Sequence, residues 1–272
     1  MYISRITFPT NYSELDAVFS SEYPYVIMQS IGIRNISFKP INIFYGNNGS
    51  GKSTLLNIIA SKVGINRQTV YNKSECFHEY VALCELDKSL ENPEQCAMIA
   101  SDDVFDYMLD VRNINQGIDT KREDICQEYL SAKYATFRMN SLSDYEQLKL
   151  TNESRGKTYT KYHQSRLMNH IKECSNGETA FKFFVDKIQD NGLYILDEPE
   201  NSLSPKKQLE LKKYIEDSVR FFGCQFLIST HSPFLLALED ALVYDLDECP
   251  AAIKHWKDLD TIRLYNDFFK AL

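Results

Sequence analysis

Two textures of hydrophobic and polar positions alternate along this chain. One is the short, nearly continuous apolar run: YVIMQSI at 25–31, INIFYG at 41–46, YVALCEL at 80–86, CAMIAS at 96–101, GLYILDEPE at 192–200, CQFLIST at 224–230 and ALVYDLD at 241–247. Runs of this length, rich in β-branched and aromatic residues and bounded by turn residues, predict strands, several of them buried on both faces. A polar turn around Asn92-Pro93 separates the third run from the fourth. The other texture places apolar residues every three or four positions in a charged background. It predicts a helix over 204–222, SPKKQLELKKYIEDSVRFF, with Ser204 as N-cap and Pro205 at the first helical position. It also predicts amphipathic helices across 103–172, a charged region almost without Gly or Pro. Strands alternating with helices imply an α/β fold with a mostly parallel sheet flanked by helices. We expect a single domain over 1–272 that carries 103–172 as a helical insertion.

Composition narrows the picture. With 272 residues, 43% of them hydrophobic, the chain can bury a core without a disulfide or metal staple. A formal net charge of −8 gives no global attraction to phosphate backbones or anionic lipid, so any nucleic-acid surface has to be local. The cysteines, Cys76, Cys84, Cys96, Cys126, Cys174, Cys224 and Cys249, are odd in number and form no CxxC pair. A reducing, cytoplasmic setting is the simple expectation. MYISRITFPTNYSELD lacks the charged-then-apolar pattern of a signal peptide, and no apolar run is long enough to span a bilayer.

Chemistry enters at the end of the second predicted strand. Gly46-Asn47-Asn48-Gly49-Ser50-Gly51-Lys52-Ser53 fits G-x-x-x-x-G-K-[ST], and Thr54 opens the helix behind it. Glycines let backbone N–H groups turn toward phosphate, the helix N-terminus favours anions, Lys52 reaches the outer phosphates and Ser53 offers a hydroxyl to Mg²⁺. ATP and Mg²⁺ are the cofactors expected. The apolar run at 192–200 delivers Asp197 and Glu198 at its carboxyl end, where open α/β sheets bind ligands. Asp197 would hold Mg²⁺ through its water shell, and Glu198 would orient or deprotonate an attacking water. The run at 224–230 brings His231 to the same edge, in reach of a γ-phosphate.

Together these segments resemble the ABC-type ATPase superfamily, over most of the chain outside the helical region. Gly46–Thr54 looks like Walker A, Leu193–Glu198 like Walker B with its catalytic glutamate, and His231 like the switch histidine. Ser175-Asn176-Gly177-Glu178 falls where the family carries its signature, before a helix that precedes Walker B. The resemblance implies an ABC-ATPase head type of P-loop fold and an ATP-dependent homodimer in which two ATPs are sandwiched head to tail. Ser175 and Gly177 would then contact nucleotide bound by the partner subunit. The plainer reading of this tetrad is a capping box, which Ser175 and Glu178 also fit.

The wording is closer to the soluble SMC, RecF and OLD-like branch than to transporters. Ser-Asn-Gly-Glu stands for Leu-Ser-Gly-Gly-Gln, and Ser204 stands where transporters have the D-loop Asp. No long heptad arm is present, and the roughly forty residues after His231 are too few for a nuclease domain. In place of the family's glutamine loop, MIASDDVFDYML offers Ser101-Asp102-Asp103. Arg34-Asn35 resembles a nucleotide-contacting pair of the repair ATPases, or is a turn between strands. Arg155, Lys157, Lys161, Arg166 and Lys172, interleaved with Tyr159, Tyr162, His163 and His170, form either a nucleic-acid surface or a solvated helix face. The expected function is a Mg²⁺-dependent ATPase switch acting on an effector protein in DNA maintenance or anti-phage defence. Rivals are a transporter's nucleotide-binding subunit and an ATP-sensing subunit of a toxin or nuclease complex with little turnover.

Overall fold

The computed structural model describes residues 1–9, 22–67, 69, 71, 74–89, 92–134, 145–156 and 176–271. The chain divides into two compact units, residues 1–105 with 175–272, and residues 106–174.

The first unit holds two sheets. Strands β1 (Ile3–Thr7), β2 (Asn35–Ser37) and β4 (Glu85–Lys88) make an antiparallel sheet in the order β2-β1-β4. The larger sheet takes β3 (Ile41–Tyr45), β5 (Gln95–Ala100), β6 (Gly192–Asp197), β7 (Gln225–Ser229), β8 (Leu242–Asp245) and β9 (Ala252–Lys254) in the order β5-β6-β7-β3-β8-β9. It is parallel except for β9, which runs antiparallel on β8. Every residue of β3, β6 and β7 is buried, which is why these strands read as nearly continuous apolar runs, with the buried polar residues Asn42, Gln225, Ser229 and Asp197 among them. The ladder sets Ala100 opposite Asp197, Asp197 opposite Ser229, and Phe44 opposite Ser229. Three carboxyl ends thus finish level, and the segments that leave them meet.

In chain order the helices are α1 (Tyr25–Ile31), α2 (Lys52–Val63), α3 (Glu75–Leu83), α4 (Ser101–Tyr134), α5 (Tyr145–Gly156), α6 (Asn176–Lys187), α7 (Pro205–Phe222), α8 (Pro233–Leu236) and α9 (Asp260–Lys270). Helix α2, with Leu55, Leu56, Ile58 and Ile59 fully buried, packs on β6 and β7. A buried glutamine joins the two sheets: Gln225 Oε1 accepts from Tyr2 N (2.7 Å) and Ile3 N (3.1 Å), and its Nε2 donates to Ile3 O (2.9 Å) and Lys39 O (3.2 Å). The second unit takes up the greater part of α4, together with α5.

Several expectations need correction. The run at 25–31 is helix, because Tyr25, Met28 and Ile31, three residues apart, are its buried positions; Gly32 ends it in a left-handed conformation. The run at 80–86 is split between the end of α3, whose inward face is Cys76, Phe77 and Tyr80, and the start of β4. The strand expected over 192–200 stops at Asp197 and gives way to a 3-10 turn, Pro199–Ser202. Ser204 holds the N-cap position of α7 without a side-chain capping bond. The helical region begins at Ser101, not at 103.

Candidate functional site at the carboxyl ends of the strands

Gly46 leaves β3 and the chain turns at once into the phosphate loop. Asn47 anchors this turn: its backbone N–H donates to Asp247 Oδ1 at 2.8 Å and its Nδ2 to Asp247 Oδ2 at 2.9 Å. Gly51 closes it at the N-cap of α2 with φ +91, and a Cβ there would stand 2.6 Å from Ile27 Cγ2 and 2.8 Å from Ile31 Cδ1. A side chain there would meet both the left-handed backbone and the close approach of α1, which glycine alone accommodates without strain. Asn48 and Gly49 face open space, and the buried Ser50 hydroxyl has no partner among the described residues. An exposed glycine-rich turn around an unsatisfied hydroxyl suits a polar anion such as a nucleotide phosphate.

Lys52 is buried at the start of α2 and turned back on its own loop. Its Nζ donates to Gly46 O (2.9 Å) and Asn47 O (3.2 Å) and lies 3.5 Å from Glu198 Oε1. Ser53 Oγ donates to Asp197 Oδ1 at 3.0 Å, and Thr54 bonds the Tyr23 hydroxyl. Asp197, 5% exposed, also accepts from Ser229 Oγ at 2.6 Å. Its Oδ2 faces the Arg67 guanidinium, 3.8 Å away. Burial pushes the Asp197 carboxyl upward, outweighing these partners. Ser53 and Asp197 are the hard oxygen donors that Mg²⁺ takes. No group of three or more His, Cys, Asp or Glu able to hold a metal occurs among the described residues.

Glu198 follows in a left-handed conformation, φ +50 and ψ +54. Its Oε1 lies 3.2 Å from His231 Nε2, and its Oε2 accepts from Asn201 Nδ2 at 3.1 Å. The bond to His231 is the main cause that holds its carboxyl far down, at about 2, with Asn201 and Lys52 adding to the effect. Lys52, Ser53, Asp197, Glu198 and His231, read from separate segments, are therefore brought together.

Other residues stand differently. Ser175 lies outside the described residues, as do 157–172 of the basic stretch and the side chain of Arg155. Gly177 is in the first turn of α6, where a Cβ would come within 3.7 Å of Lys207 Cγ and 3.8 Å of Ser204 N at the entry of α7. Where the glutamine loop would be, Asp103 Oδ2 caps Ala100 N at 2.8 Å and Asp102 lies 3.6 Å from Arg67 NH2. Sequence reasoning missed Arg67, Asp247, Ser229 and Glu200. No motif surrounds Arg67, while Asp247, Ser229 and Glu200 lay inside segments already singled out and went unassigned.

The family model described as ABC transporter matches residues 35–201, more than half of the chain. The chain belongs to the ABC transporter family. A relative of this ABC-family chain is an uncharacterised ABC transporter ATP-binding protein/permease of Saccharomyces cerevisiae, 24% identical over 213 residues; the match covers 76% of the chain and 15% of that protein's length. Among solved structures, an inward-facing candidate metal-chelate type ABC transporter is 15% identical with a TM-score of 0.45, covering 99% of this chain and 90% of that one. The SMC head domain of Thermotoga maritima is 14% identical with a TM-score of 0.42, covering 94% and 99%. No helix among the described residues of the ABC-family chain is long and apolar enough to cross a membrane.

Proposed function

We propose that this protein is a Mg²⁺-dependent ATPase that closes an ATP-sandwiched homodimer and reopens after hydrolysis, as a switch for an effector in DNA maintenance or defence. The observation that carries the ATPase reading is the convergence of Lys52, Ser53, Asp197, Glu198 and His231 beside a phosphate loop with an unsatisfied hydroxyl. Asn47, Asn48, Gly49, Ser50, Gly51 and Thr54 would surround the phosphates with Lys52, and Ser175 and Gly177 would close on the partner's nucleotide. Ser53 and Asp197 would hold Mg²⁺, which supplies charge neutralisation on the phosphates. Lys52 has two stations: against Glu198 in the free protein, and against phosphate when nucleotide arrives. Its departure relieves Glu198 of a nearby positive charge, so the affinity of Glu198 Oε1 for a proton rises as a water comes to need a base. His231, already against Glu198, would hold the γ-phosphate.

Glu198→Gln is expected to keep ATP binding and slow turnover by roughly 10²–10⁴-fold, the scale of a lost general base. It should accumulate an ATP-bound dimer, and Lys52→Ala should lose most nucleotide affinity. Turnover near wild type in Glu198→Gln, or calorimetric ATP binding unchanged in Lys52→Ala, would sink the assignment. The match to an ATP-binding protein/permease supports a second reading, the nucleotide-binding part of a transporter. Stimulation of turnover by DNA would favour the first reading over it.

A further inference from the structure

Glu200 has no task in this scheme, yet one of its bonds is among the shortest at the site. Its Oε1 accepts the backbone N–H of His231 at 2.6 Å and of Ser232 at 3.2 Å. Its Oε2 is buried with no hydrogen-bond partner within 3.5 Å among the described residues, and the Thr230 hydroxyl is a further polar neighbour of the carboxyl. A carboxylate in that position is costly, because half of its hydrogen-bonding capacity is withdrawn from water without compensation. What that cost secures is a junction. The ladder between β6 and β7 ends at Asp197 and Ser229, and beyond it two irregular segments must hold Glu198 and His231 opposite one another. Glu200 reaches across that gap.

A second tie runs parallel to it. Ser232 Oγ donates to Gln208 Oε1 at 2.6 Å, and Gln208 Nε2 donates to Leu203 O (2.9 Å) and Glu200 O (3.4 Å). The turn after β6 and the loop after β7 are therefore fastened by side chains on both sides of the His231 backbone. One result is the 3.2 Å approach of His231 Nε2 to Glu198 Oε1.

We propose that Glu200 is a positioning residue that fixes His231 against Glu198 through the paired N–H groups of His231 and Ser232. The task of His231 rests on the ATPase reading; the positioning belongs to the free protein and is measurable without nucleotide. In Glu200→Ala, hydrogen exchange at the His231 amide is expected to rise about tenfold or more, since it loses its acceptor, while the Ser232 amide, which keeps Thr230 Oγ1 at 3.0 Å, should rise less. Glu200→Gln keeps an acceptor oxygen and should stay within about threefold of wild type. Glu200→Asp, a milder change that withdraws the oxygens by one carbon, should also raise exchange, which covers the case where the alanine variant does not fold. In turnover, Glu200→Ala should lower kcat about tenfold or more with ATP affinity nearly unchanged. Added to His231→Ala it should cost less than about twofold further, because both lesions act through one group. Unchanged amide exchange in the alanine and aspartate variants, or losses that multiply in the double variant, overturn the proposal. A wild type without ATPase activity overturns the ATPase reading instead and leaves the exchange measurement to decide on Glu200.

Discussion

Glu198 concentrates the electrostatics of the site in one side chain. It stands in a left-handed backbone conformation, which costs a non-glycine residue about 1 kcal/mol, and the surrounding bonds hold it there. Its carboxyl lies at about 2 against an ordinary 4.5, chiefly because of His231. A depressed carboxyl adds stability that is complete above the ordinary value and disappears as pH falls through the lowered one. The stability advantage of wild type over Glu198→Gln should therefore be full near pH 5 and fade toward pH 2 in thermal melts. Asp197 and Glu200, both raised by burial, run the opposite way, so the difference between the two proteins is the quantity to follow. Lys52, Ser53, Asp197 and His231 were legible in the sequence because each ends or follows a strand or opens a helix in a fixed local pattern. Asp247 was not: its bond to Asn47 spans 200 residues, and no local pattern encodes that meeting.

At the scale of elements, the strands buried on both faces announced themselves, while two helices passed as strands. Seven or nine residues with a narrow buried face look like short apolar runs, and periodicity alone does not separate the two. Strands β1, β2 and β9 went unseen for a related reason: three to five residues with half-exposed faces offer too little alternation to register. What fastens β1 to the larger sheet is also invisible in sequence, because a buried Gln looks like any other polar residue. Gln225→Ala would remove the acceptor of the Tyr2 and Ile3 N–H groups and the donor to Ile3 O, at about 1–3 kcal/mol for a buried group left unsatisfied. A loss of about 3 kcal/mol or more in urea unfolding is expected. A change under about 1 kcal/mol would show that β1 is held by its sheet partners alone.

For the whole molecule, the proposed dimer makes a prediction that a self-contained site does not. Gly177 has room for a side chain at the start of α6, where an acid also suits the helix dipole, so Gly177→Asp should fold. Gly177→Asp and Lys52→Ala are each expected to be inactive alone. With free subunit exchange and independent sites, an equimolar mixture should recover about a quarter of wild-type turnover, because half the dimers are mixed and each has one intact composite site. Zero recovery, with exchange shown by tagging, would return the tetrad to a helix cap.

Arg67 gives the resting molecule a further property. Nine-tenths buried and held by Thr69 and Asn57, its guanidinium stands beside Asp197 on one side and Asp102, at the start of α4, on the other. The two acids thus share one internal cation, which offsets part of the cost of burying Asp197. Mg²⁺ at the proposed pair of Ser53 and Asp197 would meet an acid that already has a positive neighbour, and Asp102 stands 3.6 Å from that same guanidinium.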